Sequence, residues 1–216
     1  MELNIKNSWE ELTWNEYEQI EQILKTDIPN DYKSVHLISV LSAQPIAVIE
    51  ALPISQFTRL LPNLDFLQTE PDTHYHKFEY TINGREYDFK GKLNEISTAQ
   101  YIDYRTYMSE EEKDIVNLMS VFLIPKGHDY NDGYDMEQVK SDIGDMNWLD
   151  LRASAFFFRL QLTAFILILK SYLQKPMKTA KATKQQIKQM EESLNNMARF
   201  LLSAESVNWQ TLNLTQ

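Results

Sequence analysis

The chain has 216 residues with no cysteine, five glycines, 43% hydrophobic and 12% aromatic side chains, and 31 acidic against 21 basic residues, for a net charge of −10. That composition is rich enough in apolar residues to build a packed core, which argues against intrinsic disorder. The missing thiols exclude disulfides, thiolate zinc sites, iron–sulfur clusters and cysteine nucleophiles together, and so few glycines leave little for a phosphate-cradling loop.

The charge is unevenly placed. Residues 1–150 hold 12 Lys/Arg and 28 Asp/Glu, giving −16, whereas residues 151–216 hold 9 and 3, giving +6, which together restore −10. Met1 to Glu11 carries acids and asparagines instead of a positive segment and an apolar run, so a secretory signal is not expected there. Trp148 to Leu173 is the one stretch apolar enough to suggest a membrane span. It is interrupted by Asp150, Arg152, Arg159 and Lys170, and its longest uncharged run, Leu160 to Leu169, is half of the about 20 residues a bilayer requires.

In chain order, Thr13-Trp14-Asn15-Glu16 is a capping box, in which hydroxyl and carboxylate each accept from the other residue's backbone amide. Tyr17, Ile20, Ile23 and Leu24 then recur at helical spacing, with Glu16, Glu18 and Glu21 assigned to other faces. Asp27 to Asp31, with Pro29, ends this helix, and Tyr32 to Leu41 predicts a second with Val35, Leu37, Ile38 and Leu41 inward. Pro45 and Pro53 suit the first turns of two short helices reaching Leu52 and Leu61. At residues 76–90 the period changes to two around Asn83-Gly84, which predicts a β-hairpin with Ile82 opposite Arg85, Tyr80 opposite Tyr87 and Phe78 opposite Phe89. Ser97 to Gln100 opens another helix carrying Tyr101, Ile102, Tyr104 and Tyr107. Ser109 with Glu110, Glu111 and Glu112 predicts a further helix start, running through Ile115, Leu118, Met119 and Phe122 and stopping before Pro125. Lys126 to Gly133 is a loop, and a helix from Asp135 to Ile143 follows. Leu149 to Leu173 is the longest helix, apolar on most faces and ended by Pro176; Thr183 to Leu202 is a last amphipathic helix through Ile187, Met190, Leu194, Met197 and Leu201. The expected fold is thus mainly α, a helical domain over 1–175 with one inserted β-hairpin and a basic helical extension over 176–216.

Chemical signals are few. His74 and His76 would share one face of a strand about 7 Å apart, but a metal site needs a third ligand, and Asp72 and Glu79 point elsewhere. A metal-dependent hydrolase built on this pair is the enzymatic alternative. His128 to Gly133 looks like a calcium loop until the register is laid out: with Gly133 sixth, His128 is first and Val139 twelfth, where a bidentate acid belongs. Glu110, Glu111 and Glu112 are adjacent on a helix and do not face one another. No nucleophile-elbow motif or serine–histidine–aspartate pattern occurs. These residues predict no enzymatic activity and no cofactor.

Ser8-Trp9-Glu10-Glu11-Leu12-Thr13-Trp14, the short helices Val35 to Leu61 with Leu41-Ser42-Ala43, the hairpin Phe78 to Phe89, and Ala99-Gln100-Tyr101-Ile102-Asp103 come in a family-like order. The chain resembles small helical proteins from the tail- or virion-assembly regions of tailed phages infecting Bacteroidetes, including crAss-like phages, over residues 8 to 173. Ala43 and Asn15 stand where that family is expected to have glycine. The resemblance implies a non-enzymatic structural or assembly role, as a tail assembly chaperone or a component of the particle, with other phage structural or tail proteins as partners and the virion or the bacterial host cytoplasm as location.

The residues themselves point to where partners would bind. The long helix has more apolar side chains than one side of a small domain can cover, Phe156, Phe157, Phe158 and Phe165 among them. The tail carries Lys178, Lys181, Lys184 and Lys188, which invite docking on an acidic body, in a homo-oligomer or ring if the tail reaches the next copy. Nucleic acid is a poor fit, since no arginine occurs between Arg159 and Arg199 and no aromatic is interleaved with these lysines. A soluble helical protein of the host cytoplasm, its long helix serving only as core, is the other alternative.

Overall fold

The computed structural model describes residues 3–71, 76–109 and 114–174, with side chains up to position 164 of the last helix. The fold is mainly α-helical with a small antiparallel sheet: α1 (Trp14–Lys25), α2 (Asn30–Ser42), α3 (Ile46–Glu50), α4 (Ile54–Leu60), a 3-10 segment Leu61–Gln68, β1 (Glu79–Ile82), β2 (Arg85–Phe89), α5 (Thr98–Ser109), α6 (Ile115–Ser120), β3 (Leu123–Pro125), α7 (Met136–Gly144) and α8 (Trp148–Gln174). The basic extension beyond Gln174 lies outside the described residues.

Local chemistry accounts for most of the starts and stops. Both halves of the α1 capping box are formed, Glu16 donating its amide to Thr13 and Thr13 donating its own to the Glu16 carboxylate. Ser97 and Gln100 form the equivalent reciprocal pair at the start of α5. Asp114 and Asp135 cap α6 and α7 through their side chains. Asn83 and Gly84 both adopt positive φ, 51° and 75°, as a two-residue hairpin turn requires. The register is the expected one, Ile82 with Arg85 and Tyr80 with Tyr87. Beyond the ladder, Phe89 donates its amide to the Phe78 carbonyl.

Three expectations are corrected. The apolar run after Met119 does not continue as helix: α6 ends at Ser120, and Leu123–Pro125 pairs with β2 to make a three-stranded sheet, β1-β2-β3. The strand wins because Leu123 and Ile124 are fully buried there and their backbone groups pair with the open edge of β2. Ser109 is the last residue of α5, not the start of a helix, and Glu110, Glu111 and Glu112 lie outside the described residues. On α1, Glu21 sits on the buried face, where it bridges to Lys25 at 3.0 Å, while Leu24 faces out.

Two apolar clusters form the core, and α8 serves both. Trp148 and Leu149 pack with Trp9, Leu12, Tyr17, Ile20, Leu37 and Leu41; Leu151, Ala155, Phe158 and Leu162 pack with the sheet, α5, α6 and α7. The Trp-Glu-Glu-Leu-Thr-Trp stretch clasps the start of α8 with backbone bonds, Trp14 N–H to Met146 at 2.9 Å and Trp148 N–H to Leu12 at 3.1 Å.

α2 ends at Ala43 in the left-handed region, φ 49° and ψ 37°, a C-terminal position that usually takes glycine. An alanine methyl crowds the following carbonyl in that conformation. Ala43→Gly is therefore expected to raise folding stability by about 0.5–1 kcal/mol, the relieved strain exceeding the added chain entropy. Urea unfolding checks it: a lower midpoint for the variant would contradict the strain argument.

Candidate functional site

The described face of α8 separates the four phenylalanines singled out above. Phe158 is buried, its ring centroid 4.1 Å from that of Phe122 and 5.1 Å from that of Tyr104, so it belongs to the chain's own core. Phe157 is half-buried and stacks on His76. Phe156 and Leu160 are 53% and 52% exposed. They lie four residues apart, hence on one face of the helix, and the exposed Thr163 continues that face toward the C-terminal end. Phe165, Lys178, Lys181, Lys184 and Lys188 lie outside the described side chains.

His76 sits in an aromatic box. Its ring stacks on Phe157 at 4.1 Å and meets the edges or faces of Phe78 at 4.7 Å and Phe89 at 4.5 Å. Nδ1 lies 3.3 Å from both Tyr80 Oη and Ser154 Oγ. The proton count assigns the tautomer. Ser154 donates to the Asp150 carbonyl and Tyr80 donates to Ser154, so the proton between these hydroxyls and the imidazole must come from Nδ1. Nε2 is then a bare lone pair, buried without a partner among the described residues. Burial pushes the imidazole down to about 4, with Asp150 partly opposing, so His76 is neutral over the ordinary range. His74 and Asp72 lie outside the described residues, Glu79 points to solvent, and no cluster of three metal-ligating side chains occurs among the described residues. The geometry around His76 is that of a packing element joining the hairpin to α8.

The His128–Gly133 loop is organised by a lysine. Lys90 Nζ donates to the His128 carbonyl at 2.6 Å and to Asp129 at 2.8 Å, so an ammonium sits against the oxygens that would face a cation. A hydrogen bond and ion pair with Lys90 hold the Asp129 carboxyl below its ordinary value.

Periodicity did not find the principal polar cluster. The Asp142 carboxylate on α7 is fully buried and accepts from Arg85 Nη1 on both oxygens, from Asn83 Nδ2, from Gln138 Nε2 and from the Tyr87 hydroxyl. Burial favours protonation, but the hydrogen bonds from Tyr87, Asn83 and Arg85 and the Arg85 charge outweigh it and hold the carboxyl below its ordinary value. A signal existed: Val139, Asp142 and Ile143 share one face of α7, and a carboxylate on an apolar stripe demands a partner from elsewhere. Next to this cluster, β1 and the turn between α7 and α8 enclose an open cleft of about 250 Å³, lined by Lys77, Glu79, Thr81, Asn83, Asp145, Asn147 and Asp150 among others. Its acids are already engaged. Lys77 pairs with Asp150 at 2.9 Å, and Asp145 accepts from Asn83 at 3.0 Å and Asn15 at 3.3 Å.

These polar groups knit the chain to itself, which leaves the Phe156–Leu160 face as the feature directed outward. No helix among the described residues is long and apolar enough to cross a membrane, so this face is not part of a span. Compared with protein-family models, characterised proteins and solved structures, the chain matches none.

Proposed function

We propose that the chain is a non-enzymatic interaction protein that assembles with other proteins through the outer face of α8 and the basic tail, in the manner of the phage tail- and virion-assembly proteins it resembles. The observation that carries this reading is the Phe156–Leu160 pair, two large apolar side chains one helical turn apart and each more than half exposed. Single apolar residues at a surface are ordinary, whereas a contiguous apolar strip on the longest helix is the pattern of a partner site. The charge split between an acidic body and a basic tail adds a second, salt-dependent contact, either to the next copy in a ring or to another particle protein.

Light scattering of the purified chain mixed with particle proteins tests the reading directly. Phe156→Glu with Leu160→Glu should weaken the complex at least about 30-fold, the effect of losing a central apolar anchor, while the fold survives because both positions face solvent. Mass spectrometry of purified particles separates the two roles: a fixed copy number marks a component, and absence from finished particles with binding to a tail protein during assembly marks a chaperone. A chain that stays monomeric, captures no particle protein and occurs in no particle overturns the proposal.

A further inference from the structure

We infer that the face of α8 bearing Phe156 and Leu160 is the seat of this chain's own segment 183–202, folded back as the second arm of a helical hairpin. The inference rests on the reading of that face as a protein-binding surface and names its occupant in the free chain. The segment lies outside the described residues, so the case is made from the exposed face and the sequence that follows it.

Three observations agree. The first is spacing. Ile187, Met190, Leu194, Met197 and Leu201 recur at intervals of three, four, three and four, the repeat that lays an apolar seam along a partner helix. On α8 the outward positions 156, 160 and 163 repeat at four and three, and 167 follows at four. The second is register. Run antiparallel, the two series mirror each other about the middle of segment 175–182: Leu201 falls at Phe156, Met197 at Leu160, Leu194 at Thr163 and Met190 at position 167. That centre is also the midpoint between the end of α8 at Gln174 and Thr183, so the hairpin needs no slip to bring the seams together. The third is the connection. Eight residues, including the helix-ending Pro176, suit a helix–helix turn, and Thr183-Lys184-Gln185-Gln186 is a capping box that would start the returning helix where the register requires it.

The polar residues of the segment are placed to match. Lys188, Glu192, Asn195 and Arg199 fall on the side of the wheel away from the apolar seam, where they stay in water. A connection this short holds the segment at an effective concentration in the millimolar range, which favours the same chain over a second copy. A partner that takes the α8 face must then displace the segment, so the exposed pair is withheld from unselective association until a competing surface is present.

The absence of cysteine makes the test direct. Leu160→Cys with Met197→Cys, and separately Phe156→Cys with Leu201→Cys, place thiols at matched positions; Leu160→Cys with Met190→Cys is out of register by two turns. Under mild oxidation of dilute full-length protein, the matched pairs should form an intrachain disulfide in a monomer, mapped by mass spectrometry, about tenfold faster than the mismatched pair. Circular dichroism confirms that each variant is folded. A disulfide-linked dimer would overturn the inference in favour of a second copy, and matched pairs no faster than the mismatched one would overturn it in favour of a different occupant. The outcome is independent of the assembly reading: the hairpin can form in a chain that binds no particle protein, and a particle protein can bind a chain that forms no hairpin.

Discussion

Trp148→Ala is expected to cost about 3–5 kcal/mol of folding stability, the range for truncating a large buried aromatic, and to lower the melting temperature by about 10 °C or more in a chain of this size. Trp148 is 1% exposed, its ring lies flat against Tyr17 at 4.2 Å, and its indole N–H donates to the Trp9 carbonyl at 2.8 Å. Truncation leaves a cavity where the amino-terminal clasp meets α8, and it leaves that carbonyl without its donor. The Tyr17 hydroxyl, pushed upward by burial and then by Glu21, loses part of its cover as well. Against a total of about 5–15 kcal/mol, such a loss brings the chain close to unfolding at growth temperature. Calorimetry checks the value, and a loss below about 1 kcal/mol would mean that the clasp and α8 pack independently of this ring.

The second large effect is expected at Asp142. Asp142→Ala removes the acceptor shared by Asn83, Arg85, Tyr87 and Gln138 and strands the buried Tyr87 hydroxyl, for a cost of about 3 kcal/mol. Arg85 is half exposed and recovers water, which keeps the loss at the low end for a broken buried pair. The pH dependence carries a sign. Because the folded-state pKa lies below the unfolded value of about 3.9, the stability Asp142 contributes is complete above that value and is lost as pH falls through the folded pKa. The gap between wild type and Asp142→Ala should thus be widest near neutral pH and narrow below about pH 4. Asp142→Asn, which keeps the shape and loses the charge, should show the same narrowing from a smaller starting gap. Denaturant unfolding from pH 7 to pH 3 reads both; a gap that is constant with pH would show that the carboxylate charge is not what holds the hairpin to α7.

Both sites tie elements far apart in sequence, and that separates what could be read along the chain from what could not. The α1 capping box, the Asn83-Gly84 turn, the Tyr80–Tyr87 pairing, the Asp135 start of α7 and the length of α8 all rest on interactions between residues within a few positions of one another, or on a repeat visible within one window. Such signals act in the unfolded chain and survive packing because packing does not compete with them. The mainly α fold with one hairpin follows from them alone.

The remainder was decided by long-range partners. Leu123–Pro125 became a strand because β2, more than thirty residues earlier, presents an unpaired edge to an apolar run that also satisfies helical spacing. Glu21 lies inward because Tyr17 and Lys25 flank it there, and Phe158 is core while Phe156 is surface because the sheet and α5 cover one side of α8 and leave the other open. His76 takes its aromatic box from β1, β2 and α8, three elements no sequence window contains together. The sequence by itself determined which segments are helix or hairpin and that α8 carries surplus apolar surface. Only the tertiary structure decided which side of α8 remains exposed and where Asp142 finds its cation, because burial and ion pairing depend on what packs alongside, and periodicity reports only which residues share a face.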